Sequence, residues 1–203
     1  MAYVLATVIG YLFGCSNMAV YIAKYKKVDI RAKGSCNPGT SNAVILMGWR
    51  AGILVGLHDI GKGVLAVLLA KALFPYTPGV AEVAGAASVL GHIYPVFMKF
   101  RGGKGFASYI GMALAVDWRF ALVVLAVVVL VTVITDYIVV GTTITVLALP
   151  VYLFIILAGW IALLAAGVAS GTVIWKHREN YVRIYKGTEI GLRSTVKKEH
   201  RVA

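Results

Sequence analysis

Three polar stretches hold most of the side chains in this 203-residue chain that could perform chemistry. The densest is 91–108, GHIYPVFMKFRGGKGFAS, in which an apolar run passes His92 and Pro95 and opens into a glycine loop carrying Lys99, Arg101 and Lys104. Glycines such as Gly102 and Gly103 let backbone N–H groups come close to a ligand. A helix starting just beyond them offers further free N–H groups at its positive end. With cations on both sides, a phosphate at a membrane surface is the natural guest, and a short basic turn between two spans is the plain alternative. The loop is not a Walker phosphate loop, because Gly105 follows Lys104, no glycine stands five residues before Lys104, and no strand precedes it.

The second stretch is Gly34-Ser-Cys-Asn-Pro-Gly-Thr-Ser-Asn42. Gly34, Pro38 and Gly39 impose turns, Ser35, Asn37, Thr40, Ser41 and Asn42 supply hydroxyls and amides, and Ser41 or Asn42 is placed to cap a following helix. It is either a capped loop or a substrate loop, and its density of polar groups between apolar runs favours the latter. The third stretch runs from His177 to Glu189. On a helix, His177, Asn180 and Arg183 fall on roughly one face, and Gly187 ends that helix. Charge alone would suit a juxtamembrane helix touching anionic lipid, but charge does not explain His and Asn aligned with Arg. A fourth group, His58-Asp59 with Lys62, falls inside an apolar run. A charge there costs about 2.5–3.5 kcal/mol, so Asp59 and Lys62, three apart, are expected to pair or to face substrate.

The elements that must position these stretches lie in a membrane. The chain is 60% hydrophobic and 14% charged, with a mean hydropathy of +0.85, more apolar surface than a soluble fold of this length can bury. The expected fold is therefore an all-α integral membrane protein, one transmembrane domain over 1–203, with about seven helices. The apolar stretches are 3–23, 51–73, 79–98, 105–116, 119–135, 138–157 and 159–175. A crossing takes about 20 residues, so 105–116 is short, and 42–49 is expected to be a re-entrant or interfacial half-helix packed on protein. Met1–Cys15 has neither a basic start nor a clear cleavage site and reads as a retained first span. Cys15 in a span and Cys36 in a loop suggest neither a disulfide nor a metal site.

A net charge of +12 raises nucleic acid as a partner, but the distribution points elsewhere. Sixteen of the 20 Lys and Arg residues fall in 24–41, 99–104 and 176–203, which seven spans place on one side. The positive-inside rule makes that side cytoplasmic, with the N-terminus outside and the C-terminus inside. The partner is then a lipid bilayer and not nucleic acid. Gly10/Gly14, Gly52/Gly56 and Gly167/Gly171 have the spacing that lets helix backbones approach closely in lipid.

GSCNPGTSN, GHIYPVFMKFRGGKG and HRENYVRIYKGTE, in this order, resemble the three cytoplasmic motifs of the bacterial acyl-phosphate:glycerol-3-phosphate acyltransferase family, the PlsY type. The resemblance spans nearly the whole chain. It implies a seven-span, multi-pass enzyme of the bacterial inner membrane that moves an acyl group from acyl phosphate to the 1-hydroxyl of glycerol 3-phosphate. The products are lysophosphatidic acid and phosphate. It implies no cofactor, no metal, no acyl-CoA and no carrier protein, and leaves the oligomeric state open, a monomer included. The chain departs from the pattern at Ile45, where the family has arginine, and at Asp136, where it has a basic residue; Thr142 and Thr143 stand where it has serines.

Such a reaction needs two anionic phosphates held close together, a hydroxyl aligned on a carbonyl, and a stabilised oxyanion. Ser35, Lys104, His177 and Asn180 are the catalytic candidates. Gly34, Asn37, Gly39, Ser41, Asn42, His92, Gly102, Gly103, Thr142 and Arg183 are candidates for binding substrate, through backbone N–H groups in both glycine loops. Glu189 is expected to orient a cation. The general base is open between His177, which titrates near working pH, and a substrate phosphate. Arg50 and Lys62 are the nearest replacements for the missing cations, Lys62 less so because Asp59 is placed to hold it. The alternative class is a transporter or binder of a phosphate-bearing lipid or small anion, although no paired halves are visible.

Overall fold

The structure, a computed structural model, describes residues 1–191, which fold into helices without strands. The first apolar stretch is two helices, α1 (Ala2–Cys15) and α2 (Met18–Tyr25), separated at Ser16 and Asn17. A continuous span was expected there. The break is stabilised by polar groups the hydropathy conceals: Asn17 accepts from the Val20 N–H at 3.0 Å and donates to the Pro38 carbonyl at 3.2 Å. The other helices are α3 (Thr40–Met47), α4 (Trp49–Leu73), α5 (Val80–Ile93), α6 (Phe106–Val116), α7 (Trp118–Thr135), α8 (Ile138–Ile155), α9 (Trp160–Lys176) and α10 (Arg178–Tyr185), with a 3-10 turn over Val96–Met98.

Each of the seven expected apolar stretches is helical. Five segments are long and apolar enough to cross a membrane: Ala2–Tyr25 taken across its break, Trp49–Leu73, Val80–Met98, Trp118–Thr135 and Ile138–Ile155. Phe106–Val116 and Trp160–Lys176 are shorter apolar helices. The half-helix expected at 42–49 is α3, which buries Asn42, Ala43 and Met47 against α2 and α4. Its first turn starts earlier than expected, so Gly39 is the cap residue and Ser41 and Asn42 lie inside the helix.

Small residues set the packing. A Cβ on Gly10 would overlap the Ala84 carbonyl oxygen, and one on Gly14 that of Ser88, so α1 and α5 meet backbone to backbone. Gly63 and Gly111 do the same between α4 and α6. Gly52 serves α3 instead, against Val44, while Gly167 and Gly171 have no neighbour within 4 Å. Around these contacts, Ile93, Tyr109, Met112, Val146, Leu149, Leu153 and Val173 form the buried core. The Tyr109 hydroxyl bonds the Val146 carbonyl at 3.1 Å and Ser170 Oγ at 2.7 Å, tying α6, α8 and α9 together.

Length decides where the glycine loop sits. α5 has 14 residues and α6 has 11, about 21 Å and about 16 Å of helix at 1.5 Å per residue. α4 has 25, about 37 Å. Lys71 near one end of α4 donates to the Ala115 carbonyl at the end of α6, at 2.6 Å. At the other end of α6, Gly63 packs on Ser108, and Asp59 lies against His92. The Gly102–Gly103 part of the loop between α5 and α6, which packs on His92, therefore lies level with Asp59, ten residues from the Trp49 end of α4, about 15 Å.

Candidate active site

The glycine loop is shaped by its own backbone. Lys99 and Phe100 take left-handed conformations, and the N–H groups of Phe100, Gly102 and Gly103 donate to the carbonyls of Pro95, Ile93 and His92 at 3.0, 3.1 and 3.1 Å. The N–H groups of Gly102 and Gly103, expected to face a ligand, are thus turned onto the end of α5. Glycine is needed at both for space, since a Cβ on Gly102 would overlap the His92 carbonyl oxygen and one on Gly103 the His92 ring. Gly105 (φ 89°) then reverses the chain and starts α6, whose first N–H groups have no intrahelical partner.

Lys104 projects from this loop to the third segment. Its ammonium donates to Asn180 Oδ1 in a short hydrogen bond. Asn180 Nδ2 donates to Glu189 Oε1 at 2.5 Å, and Arg183 Nε donates to Glu189 Oε2 at 2.6 Å. Four of the expected site residues form one network, and Glu189 orients both a cation and an amide. Burial, followed by the nearby Arg183 guanidinium, lowers Lys104 to a pKa of about 8 against the pull of Glu189 and Glu179.

His177 is buried at the junction of α9 and α10, where its Nδ1 donates to the Val173 carbonyl at 2.8 Å. That bond puts the proton on Nδ1 and leaves Nε2 as an acceptor. Burial, assisted by Lys104, holds the imidazole down to about 4 despite the backbone bond. The expectation that it titrates near working pH is corrected: His177 is a neutral acceptor and a weak base. Tyr181 was not singled out from the sequence, yet its hydroxyl forms a short bond with Thr143 Oγ1 and joins α10 to α8. Its place beside Asn180 was the one available signal.

The first polar stretch is organised around Asn42. The buried amide accepts from the Ser35 N–H at 2.9 Å and donates to the carbonyls of Ile30 and Lys33 at 2.9 and 3.1 Å. Gly34 (φ 62°) lies against Asn42 Oδ1, where a Cβ would collide. Asn42 is thus a staple that shapes the loop, and Ser35 is held half-buried by its backbone. Gly39 packs on Asn37, and Ser41 is exposed. No hydrogen bond joins Ser35 to Lys104, His177 or Asn180 among the described residues.

The remaining candidates divide. Thr142 is buried and bonds the Ile138 carbonyl at 3.0 Å within its own helix. Arg50 is exposed at the start of α4. Lys62 lies 2.8 Å from Asp59, as their spacing foretold, and His92 joins them. Ile45 is exposed on α3, and Asp136 caps α7 with its carboxylate against Gly191, two residues past Glu189. A cleft of about 750 Å3 is edged by Lys24, Lys27, Arg31, Lys99 and Arg101, so the first two basic segments share one end of the bundle. Arg193, Lys197, Lys198 and Arg201 lie outside the described residues.

The model of the family described as glycerol-3-phosphate acyltransferase matches residues 4–187. Glycerol-3-phosphate acyltransferase 1 of Oceanobacillus iheyensis is 38% identical, over 96% of this chain and 97% of its own. The glycerol-3-phosphate acyltransferase of Coxiella burnetii is 40% identical, over 93% and 97%. Among solved structures, the crystal structure of PlsY, an integral membrane glycerol 3-phosphate acyltransferase, in its glycerol 3-phosphate form superposes with a TM-score of 0.88 at 33% identity, covering 95% of this chain and 96% of that one. Its lysophosphatidic acid form gives 0.83 at 32% identity, covering 96% and 97%.

Proposed function

This chain belongs to the glycerol-3-phosphate acyltransferase family, and from that premise we propose that it draws its acyl group from an acyl phosphate at the site built by Lys104, His177, Asn180, Arg183 and Glu189. The acceptor is glycerol 3-phosphate and the product lysophosphatidic acid, the two molecules with which the similar PlsY structures are described. The observation that carries the site assignment is the Lys104–Asn180–Glu189–Arg183 network, which fixes two cations and an amide in a recess next to a glycine loop.

An acyl phosphate is already activated, so a covalent enzyme intermediate is unnecessary. The 1-hydroxyl oxygen of glycerol 3-phosphate attacks the carbonyl carbon. The bond from that carbon to the oxygen bridging it to phosphorus breaks, so inorganic phosphate leaves with the bridging oxygen and the hydroxyl proton. Lys104 and Arg183 offset the repulsion between two phosphates, each charge-assisted hydrogen bond contributing about 1.5–3 kcal/mol. His177 Nε2 accepts from the hydroxyl and aligns it, while its low basicity hands the proton to the leaving phosphate. On this reading Ser35, Asn37, Gly39 and Ser41 serve the same substrates from the first motif, whose loop is pinned where Asn17 donates to the Pro38 carbonyl.

The whole chain acts as one transmembrane domain of seven spans. The end bearing the basic cleft and the recess faces the cytoplasm, which puts the N-terminus outside. The acyl chain enters from the bilayer between helices, and a single copy carries every residue named above. Phosphate release by purified protein, measured with acyl phosphate in the presence and absence of glycerol 3-phosphate, tests the reading. Release and lysophosphatidic acid formation should both require the acceptor. Turnover with acyl-CoA and none with acyl phosphate would overturn it.

A further inference from the structure

His92 lies beneath the glycine loop, and the residues behind it determine where its proton sits. The Lys62 ammonium contacts Asp59 Oδ1 at 2.8 Å, the Ser16 carbonyl at 2.7 Å and His92 Nδ1 at 2.8 Å. An ammonium only donates, so all three of its protons are used and Nδ1 must accept. Asp59 Oδ1 is 3.5 Å from the same nitrogen, too far to claim a proton there against Lys62. The neighbouring His58 lies 3.3 Å from Asp59 and 3.0 Å from Ser16 Oγ, completing the cluster. His92 is therefore neutral with its proton on Nε2.

That Nε2 has no hydrogen-bond partner among the described residues, although His92 is 4% exposed. Among the described residues the wholly enclosed side-chain polar atoms without a partner are Thr40 Oγ1, Ser88 Oγ, Ser108 Oγ and Thr132 Oγ1. The small exposure of His92 therefore reaches its Nε2, a donor open to an acceptor from outside. It faces Gly103, where a Cβ would overlap it, so a glycine keeps this edge of the ring open. The next residue is Lys104.

We infer that His92 presents its Nε2–H through the opening at Gly103 to a phosphate oxygen of the substrate, with Lys62 and Asp59 as positioning residues that fix its tautomer. The inference rests on the glycine loop lying at the phosphate site proposed above. The hidden break at Ser16 acquires a purpose here, because it leaves the Ser16 carbonyl without a helical partner and Lys62 donates its third proton there.

Two amide substitutions separate this role from a structural one. In His92→Gln the amide nitrogen reaches the place of Nε2, whereas in His92→Asn the amide ends near Nδ1 and keeps only the contact with Lys62. His92→Gln should retain kcat/KM within about threefold, and His92→Asn should lose at least about tenfold. A rise in KM confined to glycerol 3-phosphate would assign the bond to the acceptor, and one confined to acyl phosphate to the donor. Equal activity of the two variants, or greater activity of His92→Asn, would overturn the inference.

Nitrogen NMR of the histidine-labelled wild-type protein is independent of how the variants fold. His92 should show a protonated Nε2 and a bare Nδ1, and the Nε2 resonance should move when inorganic phosphate or glycerol 3-phosphate is added. A protonated Nδ1, or a resonance that stays unmoved at saturating inorganic phosphate, glycerol 3-phosphate and acyl phosphate alike, would overturn it. If the wild-type protein fails to turn over acyl phosphate, the reaction assignment fails, while the NMR result still reports on His92.

Discussion

Lys104 and Asn180 share a hydrogen bond across 76 positions of sequence, joining the glycine loop to the helix that follows the last apolar one. Because Glu189 Oε1 accepts from the amide nitrogen at 2.5 Å, the amide oxygen is turned to the ammonium. Asn180→Asp keeps the shape but removes the donor to Glu189 and sets two carboxylates against each other. Turnover should fall at least about tenfold, or roughly 1.4 kcal/mol of transition-state stabilisation. Steady-state kinetics with both substrates saturating checks this, and undiminished kcat in Asn180→Asp would remove the amide from the site.

Glu189 is the residue on which the third segment converges, and Arg183 Nε is 2.6 Å from it. Glu189→Gln leaves the guanidinium without its counter-charge in a partly buried place, where loss of one partner is costly. The melting temperature in detergent should fall, with a destabilisation of about 1–3 kcal/mol. Adding Arg183→Gln should recover part of the melting temperature and none of the activity. Recovery of both would make the pair purely structural.

Two groups of the site have depressed pKa values, and their signs give opposite limbs. Lys104 at about 8 is mostly cationic at neutral pH, so kcat/KM should decline as pH rises through about 8. Lys104→Arg, which stays charged, should move that decline upward. For His177, lowered from 6.5 to about 4, the unfolded chain binds the proton more readily than the native one. Its contribution to stability is full above 6.5 and is lost as pH falls toward 4. Thermal melting followed across that range should show the loss, and His177→Gln should flatten it.

Much of this was legible because apolar runs and positional charge act over short distances of sequence. The runs located every apolar helix, and the three polar motifs contained Lys104, Asn180, Arg183 and Glu189 before any of them had a partner. The spacing of Asp59 and Lys62 foretold their pair. Hydropathy could not show the break at Ser16, since one serine and one asparagine barely lower the mean of a 24-residue run. Nor could residue type say that Asn42 shapes its own loop, or that His177 is kept neutral by burial. Those depend on which distant backbone encloses a side chain. Gly102 and Gly103 looked like ligand cradles because glycine serves close approach of any kind, and here the close approach is to His92.

Orientation in the membrane is tested by labelling. Cys15 is buried and Cys36 exposed, so the background for single cysteines is Cys36→Ser. Lys27→Cys and Arg101→Cys, both at the basic cleft, should be shielded from an impermeant thiol reagent in intact cells. Thr77→Cys, in the turn between α4 and α5, should react. Reaction of Arg101→Cys from outside would invert the proposed topology.

The missing cations at Ile45 and Asp136 leave the acceptor dianion with fewer partners than the family pattern supplies. Glu189 already offsets Arg183, and Lys62 is enclosed by Asp59, Ser16 and His92. Arg50 differs from both, being exposed at the start of α4 with no ion-pair partner among the described residues. It stands nine residues of helix α4 above Asp59 and the Gly102–Gly103 turn, about 13 Å, so it cannot touch a phosphate bound beside Lys104. It acts at the mouth, where a charge in water is worth on the order of 1 kcal/mol and is screened by salt. Arg50→Ala should then raise the KM for glycerol 3-phosphate about threefold with kcat unchanged. The KM for acyl phosphate, which arrives through the bilayer, should stay as it was. Raising ionic strength should erase the difference between Arg50→Ala and the wild-type protein. A loss of kcat that persists in high salt would instead mean that Arg50 reaches the reacting groups.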